Sequence, residues 1–294
     1  MKKIAFFYTA WTDSGEKLVK AAKKEEIDLV PIHYSALKIE GIQKEWEIYF
    51  QDQPLKDFSL FYFRSVGDKN EHLPLLLEYA KEHKIPIVDD YLNKLGGAFR
   101  KRKSSEAIML LRAGVSYPKS SFVSDREDLK KVVEAEPKPV VIKSTAGRHG
   151  QGTFLIEDDL ALNRVLQGRT SINFLIQDYI PNDGDYRLFL VGYKVITGFK
   201  RQAKEKQLIL NRSAGSSQIL EKIPEDVAAE AEKAAKILGV EIAGVDLVMD
   251  KRNNKPVVIE VNQAPEFYVM EKRANLDIAQ LIVKYLKEKS KKSE

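Results

Sequence analysis

Residues 243–265 read AGVDLVMDKRNNKPVVIEVNQAP and predict a β-hairpin, because two runs rich in β-forming residues flank the polar turn KRNN. If the turn is centred on Asn253, Asp246 faces Glu260 across the ladder, where paired side chains lie about 5 Å apart. Asn262 follows Glu260 by two residues, so its side chain lies on the same face. The hairpin therefore predicts one face that carries Asp, Glu and Asn oxygens.

Two interpretations of this face are open at the level of the hairpin. Two carboxylates among Val and Ile residues repel each other and are costly to desolvate unless a cation lies between them. Oxygen ligands without Cys or His suit Mg²⁺, which keeps some waters and takes further ligands from substrate phosphates. In the other interpretation, Asp246 and Glu260 occupy the solvated face of an antiparallel pair.

Composition narrows the class of protein. A chain of 294 residues exceeds the usual size of one domain, so we expect two or three packed units. The absence of cysteine excludes disulfide scaffolds, thiolate metal sites and cysteine nucleophiles. No apolar run approaches the roughly 18 residues of a membrane span, and the N-terminal apolar run is too short for a signal peptide. We therefore expect a cytoplasmic protein without a membrane partner. The net charge of +5 comes from lysines scattered among glutamates, which argues against a nucleic-acid partner.

The first 95 residues alternate short apolar runs with amphipathic stretches, as parallel α/β units do. The runs IAFFY, IDLVPIHY, FSLFYFR and IPIVDD predict strands, and Asp13 and Glu16 have capping-box spacing before a helix. Neither a G-x-G-x-x-G motif nor a P-loop is present. Three polar residues follow strand ends and either line a substrate cleft or are solvated loop residues: Thr12, Arg64 and Asp89.

The segment 138–156, KPVVIKSTAGRHGQGTFLI, predicts a second hairpin around a glycine-rich loop. Such a loop can present backbone N–H groups to an anion. Lys143 follows four apolar residues at the end of the incoming strand, an unusual place for a lysine without an anionic partner. The segment fits either a phosphate-binding lid or a flexible hairpin whose lysine reaches solvent. Further strands follow, and the period of two places Asp185 and Arg187 on one face.

The order Lys, glycine-rich loop, QDYI, DYR, AGVDL, IEVN resembles the ATP-grasp superfamily, and most closely its RimK-like branch of α-L-glutamate ligases and other carboxylate–amine ligases. The resemblance covers about residues 91–287. It implies an α/β (α+β) ATP-grasp fold in three parts. These are an N-terminal parallel α/β domain (1–95), a central subdomain with the glycine-loop lid (96–180), and a C-terminal antiparallel-sheet subdomain with a metal site (181–294).

The resemblance also implies roles for individual residues. It implies that Asp246, Glu260 and Asn262 bind Mg²⁺ or Mn²⁺, which favours the metal interpretation of the hairpin. The residues that match nucleotide-binding positions for ATP are Lys103 and Lys143 at the phosphates, Gly147, Gly150 and Gly152 in the lid, Gln177, Asp178 and Tyr179 at the adenine hinge, and Asp185. The residues assigned to catalysis are Arg201, Asn211 and Arg212.

The implied chemistry is ATP-dependent joining of a carboxylate to an amine through an acyl phosphate. Glutamate or another amino acid would be added to a peptide, a protein or a small amine, and the chain could form a homo-oligomer. Two positions depart from the RimK-like pattern. Ile209 stands where an arginine is usual, so Arg212 is the nearest replacement cation, and Glu266 stands where a glycine is usual. NQAPEF resembles instead the ligases that act on amino-group carrier proteins. The alternative to an active ligase is an ATP-binding module that has lost ligation and acts in regulation or as a scaffold.

Overall fold

The computed structural model describes residues 2–43, 45–67, 71–94, 103–144, 152–167, 173–202 and 217–291. Within these ranges it has parallel and antiparallel sheets covered by helices, as the α/β (α+β) prediction requires. No helix in these ranges is long and apolar enough to cross a membrane.

The N-terminal part is built on a parallel sheet, as the alternating sequence pattern predicts. Its strand order is β2-β1-β6-β7, and each neighbouring pair is parallel. The four central residues of the first strand are buried, because apolar residues pack against both faces of the sheet. The elements of this part are β1 (Lys3–Tyr8), α1 (Asp13–Lys24), β2 (Asp28–His33), β3 (Leu37–Ile42), β4 (Glu45–Phe50), β5 (Gln53–Pro54), β6 (Leu60–Phe63), α2 (His72–Glu82), β7 (Ile87–Val88) and α3 (Tyr91–Lys94).

Helix α1 begins one residue earlier than the proposed capping box requires. Thr12 has extended backbone angles, and its side chain accepts a hydrogen bond from the amide of Gly15, so Thr12 is the N-cap. Asp13 is therefore the first helical residue and not the cap, which corrects the sequence prediction. Asp13 and Glu16 still lie in the first turn, where negative charge is favourable.

A three-stranded antiparallel sheet, β3-β4-β5, was not predicted from the sequence. It packs against α2 through polar as well as apolar contacts. Trp46 of β4 donates a hydrogen bond to Glu82 and lies edge-on to the ring of Tyr79, which donates a hydrogen bond to Glu47.

The central part is a four-stranded antiparallel sheet with the order β10-β9-β11-β8. Thr153 pairs with Lys143, which confirms the predicted hairpin around the glycine-rich segment. Helices α5 and α6 cover one face of this sheet and share an apolar core with it. The elements are α4 (Lys103–Arg112), β8 (Ser120–Val123), α5 (Arg126–Ala135), β9 (Val140–Ser144), β10 (Thr153–Ile156), α6 (Asp159–Leu166) and β11 (Phe174–Asp178).

The C-terminal part is a five-stranded antiparallel sheet with the order β14-β13-β12-β15-β16. Gly239 ends the helix Glu225–Leu238 in the left-handed conformation, at φ 76°, as a glycine at the end of a helical pattern predicts. The elements are β12 (Gly184–Val191), β13 (Lys194–Gln202), β14 (Ser217–Ile219), α7 (Glu225–Leu238), β15 (Ile242–Asp250), β16 (Lys255–Gln263), α8 (Tyr268–Ala274) and α9 (Ile278–Lys289).

The first and last sheets share their apolar cores. Phe63 of β6, Leu188 of β12 and Val245 of β15 belong to one buried cluster. On the other face of the parallel sheet, Leu18 of α1 and Ile282 of α9 belong to a second cluster. This packing holds the carboxyl ends of the parallel strands near the end of β16.

Candidate active site

The centre of the candidate site is the pair of strands β15 and β16. Asp246 pairs with Glu260, which confirms the predicted register at this position. Nearer the turn, Asp250 pairs with Lys255, so the register shifts by one residue immediately after Asp246. Without this irregularity the same turn would place Ile259 opposite Asp246, and Glu260 would lie on the other face.

Asp246 is surrounded by side-chain donors. Its carboxylate accepts from Nη1 of Arg187 at 3.3 Å, from Nη2 of Arg201 at 3.3 Å and from Nδ2 of Asn262 at 3.0 Å. Burial raises the pKa of Asp246 to about 6. The charge of Glu260 also raises this pKa, whereas the charges of Arg187 and Arg201 lower it. The cost of ionising this carboxylate indicates a place where additional positive charge is favourable.

Arg201 lies between two carboxylates. Its Nε is 3.0 and 2.9 Å from the two oxygens of Asp185, its Nη2 also contacts Asp185, and the same Nη2 reaches Asp246. Asp185 is buried, which raises its pKa, while the hydrogen bonds from Arg201 lower it. Arg201 and Asp185 therefore hold each other beside the metal-binding candidates. The catalytic role of Arg201 stays a prediction.

Two lysines approach this face from the central part. Lys143 is only 8% exposed, and its Nζ donates to the carbonyl of Ile259 at 3.3 Å. Burial lowers the pKa of Lys143, the charge of Glu260 opposes that effect, and Lys103 adds to it. Lys103 donates to the carbonyl of Ser144 at 3.2 Å, directly after Lys143 in β9. A buried ammonium beside a second lysine is a favourable place for phosphate oxygens.

Glu106 fixes α4 against β16 and was missed by the sequence interpretation. Its Oε1 accepts a hydrogen bond from the amide of Val261 at 2.9 Å, and its side chain is buried. The amide lies between Glu260 and Asn262, so Glu106 helps to place both. Nothing in the local sequence distinguishes Glu106 from a surface glutamate on an amphipathic helix.

The proposed adenine hinge lies where β11 ends. Gln177 is 2% exposed and donates to Ser120 at 2.8 Å, while its Oε1 has no partner among the described residues. Asp178 and Tyr179 are half-buried. Ile180 then packs with Val248 and Val257 of the β15–β16 hairpin. The segment after β11 therefore connects the central sheet to the β15–β16 hairpin, which carries the candidate metal-binding residues.

The remaining predicted site residues are divided between described and undescribed segments. Gly152 is buried, and its carbonyl accepts from the amide of Ser144 at 2.6 Å. The predictions for Gly147, Gly150, Asn211 and Arg212 lie outside the described residues, as does Ile209.

The donor set fits a divalent cation bound together with nucleotide phosphates. The described residues contain no group of three or more His, Cys, Asp or Glu side chains placed to hold a metal ion. Asp246, Glu260 and the amide of Asn262 therefore provide a partial oxygen shell, which is usual for Mg²⁺ with a phosphate substrate. Because Nδ2 of Asn262 faces Asp246, the amide must turn to present its oxygen to a cation.

The strand-end residues of the N-terminal part divide into two groups. Thr12 and Arg64 both donate to Glu266, in the loop after β16. Asp89 does not line a cleft with them. It is 3% exposed, and its Oδ1 accepts from the amides of Glu241 and Ile242. The suggestion of a shared cleft is therefore wrong for Asp89, because its carboxyl group is buried and accepts two backbone hydrogen bonds in the interior.

Comparisons with known proteins identify the family. Residues 100–286 match the RimK-like ATP-grasp domain. A probable alpha-L-glutamate ligase of Stutzerimonas stutzeri is 30% identical over 280 residues, which cover 93% of this chain and 91% of the relative. A probable alpha-L-glutamate ligase of Methanococcoides burtonii is 34% identical over 206 residues, which cover 68% of each chain.

Solved structures show the same fold. A RimK domain ATP-grasp protein from Sphaerobacter thermophilus has a TM-score of 0.68 at 18% identity, covering 96% of this chain and 98% of that one. The ATP-grasp ligase PsnB, complexed with a phosphomimetic variant of its minimal precursor, Mg and ADP, has a TM-score of 0.73 at 15% identity, with 98% of each chain covered.

The chain belongs to the RimK-like ATP-grasp family. It is an ATP-grasp ligase that uses ATP and Mg²⁺ to form an amide bond. The comparisons give no support to the alternative of a module without ligase activity.

Proposed function

We propose that this ligase activates the carboxylate of an amino acid or peptide and couples it to the amino group of L-glutamate. Two findings support the proposal. Relatives at 30 to 35% identity are named probable alpha-L-glutamate ligases. Structural neighbours are complexed with peptides, namely PsnB with its minimal precursor and the macrocyclase MdnC of Microcystis aeruginosa with the precursor peptide MdnA.

The observation that carries the proposal is the Asp246–Glu260 pair. Arg187 and Arg201 donate hydrogen bonds to Asp246, and the charges of Glu260 and Asp246 both act on the buried Lys143. We propose that Asp246, Glu260 and Asn262 hold Mg²⁺. We further propose that Lys103 and Lys143 contact the phosphates, and that the hinge at residues 177–179 contacts the adenine. This division of labour matches phosphoryl transfer, which needs positioning and charge neutralisation more than a nucleophilic side chain.

When bound, Mg·ATP would supply the γ-phosphoryl group for an acyl phosphate of the substrate carboxylate, with ADP as the leaving group, and the amine would then displace phosphate from it. The chain's own residues do the rest. Arg187 and Arg201 balance the charge of Asp246 and hold it in place. Lys143, desolvated against β16, adds positive charge where negative charge develops.

The direct test is an assay for ADP and phosphate release with Mg·ATP, L-glutamate and a mixed pool of amino acids and short peptides. Mass spectrometry of the same mixture identifies any acceptor that has gained a glutamyl residue. We expect ADP release that depends on both L-glutamate and an acceptor. Glu260→Gln is the matched negative control, since it keeps the side-chain size and removes one metal-binding oxygen. ADP release with acceptors in the absence of L-glutamate, and no glutamyl product, would disprove the choice of glutamate.

A further inference from the structure

The loop that follows β16 leaves the metal-binding candidates and crosses to the N-terminal part. A Cβ at Gly244 would lie 3.0 Å from Cβ of Pro265 and 3.8 Å from Nη2 of Arg187. Gly244 and Asp246 are two residues apart in β15, so they share a face of the sheet. Pro265 therefore packs on the face that carries Asp246, and Glu266 begins directly beside it.

The carboxylate of Glu266 is held by three donors from the N-terminal part. Oγ of Ser14 is 2.7 Å away, Nη2 of Arg64 is 2.9 Å away and Oγ1 of Thr12 is 3.3 Å away. All three donors come from residues more than 200 positions earlier in the chain. Even so, the side chain of Glu266 is 58% exposed. A carboxylate offers about four acceptor positions, so oxygen lone pairs remain available on the open side.

Arg64 fixes the direction of the Glu266 carboxylate. It is 6% exposed, and its Nη2 donates both to the carbonyl of Pro265 at 3.1 Å and to the carboxylate of Glu266. Because a buried guanidinium contacts both the backbone and the side chain of this loop, the carboxylate is held in one orientation.

We propose that Glu266 binds the protonated amino group of the amino-acid substrate and so places the amine beside the catalytic face. This inference rests on the proposed function, because it requires an amino acid as the amine component. An exposed carboxylate that is fixed by hydrogen bonds at its rear attracts a primary ammonium and pays little to order its own side chain. The usual glycine of the RimK-like pattern could not make this contact, so Glu266 is a specificity-determining residue of this chain.

The competing explanation is that Glu266 only ties the loop to the N-terminal part. A neighbouring ion pair between the same two parts of the chain provides the matched control. Lys17 of α1 forms an ion pair with Glu271 of α8, which joins the same two parts of the chain. Removing Lys17 weakens the attachment and leaves the Glu266 carboxylate in place.

The test compares L-glutamate with glutarate, which has both carboxylates and no amino group. Calorimetry measures the binding of each to the full chain in the presence of Mg²⁺ and a non-hydrolysable ATP analogue. We expect the wild type to prefer L-glutamate by about tenfold or more, as a charge-assisted contact requires. Glu266→Gln should lose this preference, Glu266→Asp should keep part of it, and Lys17→Met should keep it in full.

Steady-state kinetics supply a second measurement. In Glu266→Gln, the KM for L-glutamate should rise about tenfold while the KM for ATP stays unchanged. A wild type that joins L-glutamate, with the same preference over glutarate in Glu266→Gln, would overturn the inference and leave the proposed function intact. A wild type that joins other amines but never L-glutamate would overturn the proposed function, and this inference with it.

Discussion

Asp246 and Glu260 form the last directly opposed pair of β15 and β16 before the register of the two strands shifts by one residue. The shift places both carboxylates on the face that Arg187, Arg201 and Lys143 approach. An irregularity of this kind often stands beside an active site, because it redirects a side chain without changing the rest of the sheet.

Lys143→Met should weaken ATP binding and stabilise the ligand-free protein. The ammonium is buried and its pKa is lowered, so the folded protein without ligand disfavours the charge. A charge-assisted contact with phosphate is worth about 1.5 to 3 kcal/mol, or roughly a 10- to 150-fold change in Kd. Calorimetry with Mg·ATP measures the affinity, and thermal unfolding measures the stability. Lys255→Met, at the exposed start of β16, is the control. An unchanged ATP affinity in Lys143→Met would remove Lys143 from the site.

Arg201→Met should be strongly destabilising, and Asp185→Asn should rescue much of the loss. Arg201 binds Asp185, whose side chain is 7% exposed, so the single substitution leaves a buried carboxylate without its partner. Breaking such a pair costs about 3 to 5 kcal/mol. Urea unfolding of the wild type, both single variants and the double variant gives the coupling energy. Simple additivity of the two single effects would show that the pair is not coupled.

The pH dependence of stability should carry the signature of Asp89. Burial and the charge of Glu241 raise the pKa of Asp89 to about 8 in the folded protein, from 3.8. Between these values the folded state keeps a proton that the unfolded state loses. The free energy of unfolding should therefore fall as pH rises from about 4 to 8, by at most about 1.4 kcal/mol per pH unit from this group.

Asp89→Asn isolates this contribution. One oxygen, Oδ1, accepts both backbone hydrogen bonds, so the amide oxygen of Asn can replace it. We expect the variant to fold with a flatter dependence of stability on pH, and to be more stable than the wild type at pH 8. Urea unfolding at several pH values from 5 to 8 measures this. The same slope in both proteins would assign the pH dependence to other groups.

The parts of the fold that could be predicted from sequence are those in which local pattern and tertiary packing agree. The buried run in β1 and the glycine at the end of α7 are examples. The β3-β4-β5 sheet could not be predicted, because EWEIYF in β4 places charged residues among its aromatic ones and its partner contacts lie on α2. The cap of α1 was misplaced by one residue, since Thr12 and Asp13 are both good capping residues and only the backbone angles distinguish them.

In the candidate site, too, only the features that depend on local sequence could be predicted. The Asp246–Glu260 pair was predicted by counting from an assumed turn centre at Asn253. The actual turn is centred half a residue earlier, and the register shift corrects the difference. Glu266 was visible as a departure from the family pattern. Its partners Ser14 and Arg64 could not be inferred, because only the packing of distant sheets brings them to it.

Glu260→Gln tests whether Asp246 and Glu260 hold Mg²⁺ for bound ATP. The melting temperature should be measured for both proteins with ATP and a chelator, and again with Mg·ATP. Without metal the two should be similar, because the loss of repulsion with Asp246 offsets the loss of attraction to Lys143. With Mg·ATP at 100 times its Kd, the wild type should gain about 2.7 kcal/mol of stability. We predict that Glu260→Gln loses the Mg²⁺-dependent part of this gain together with ADP formation. An equal Mg²⁺-dependent rise in melting temperature in the variant, with ADP formation retained, would show that Glu260 does not hold the metal.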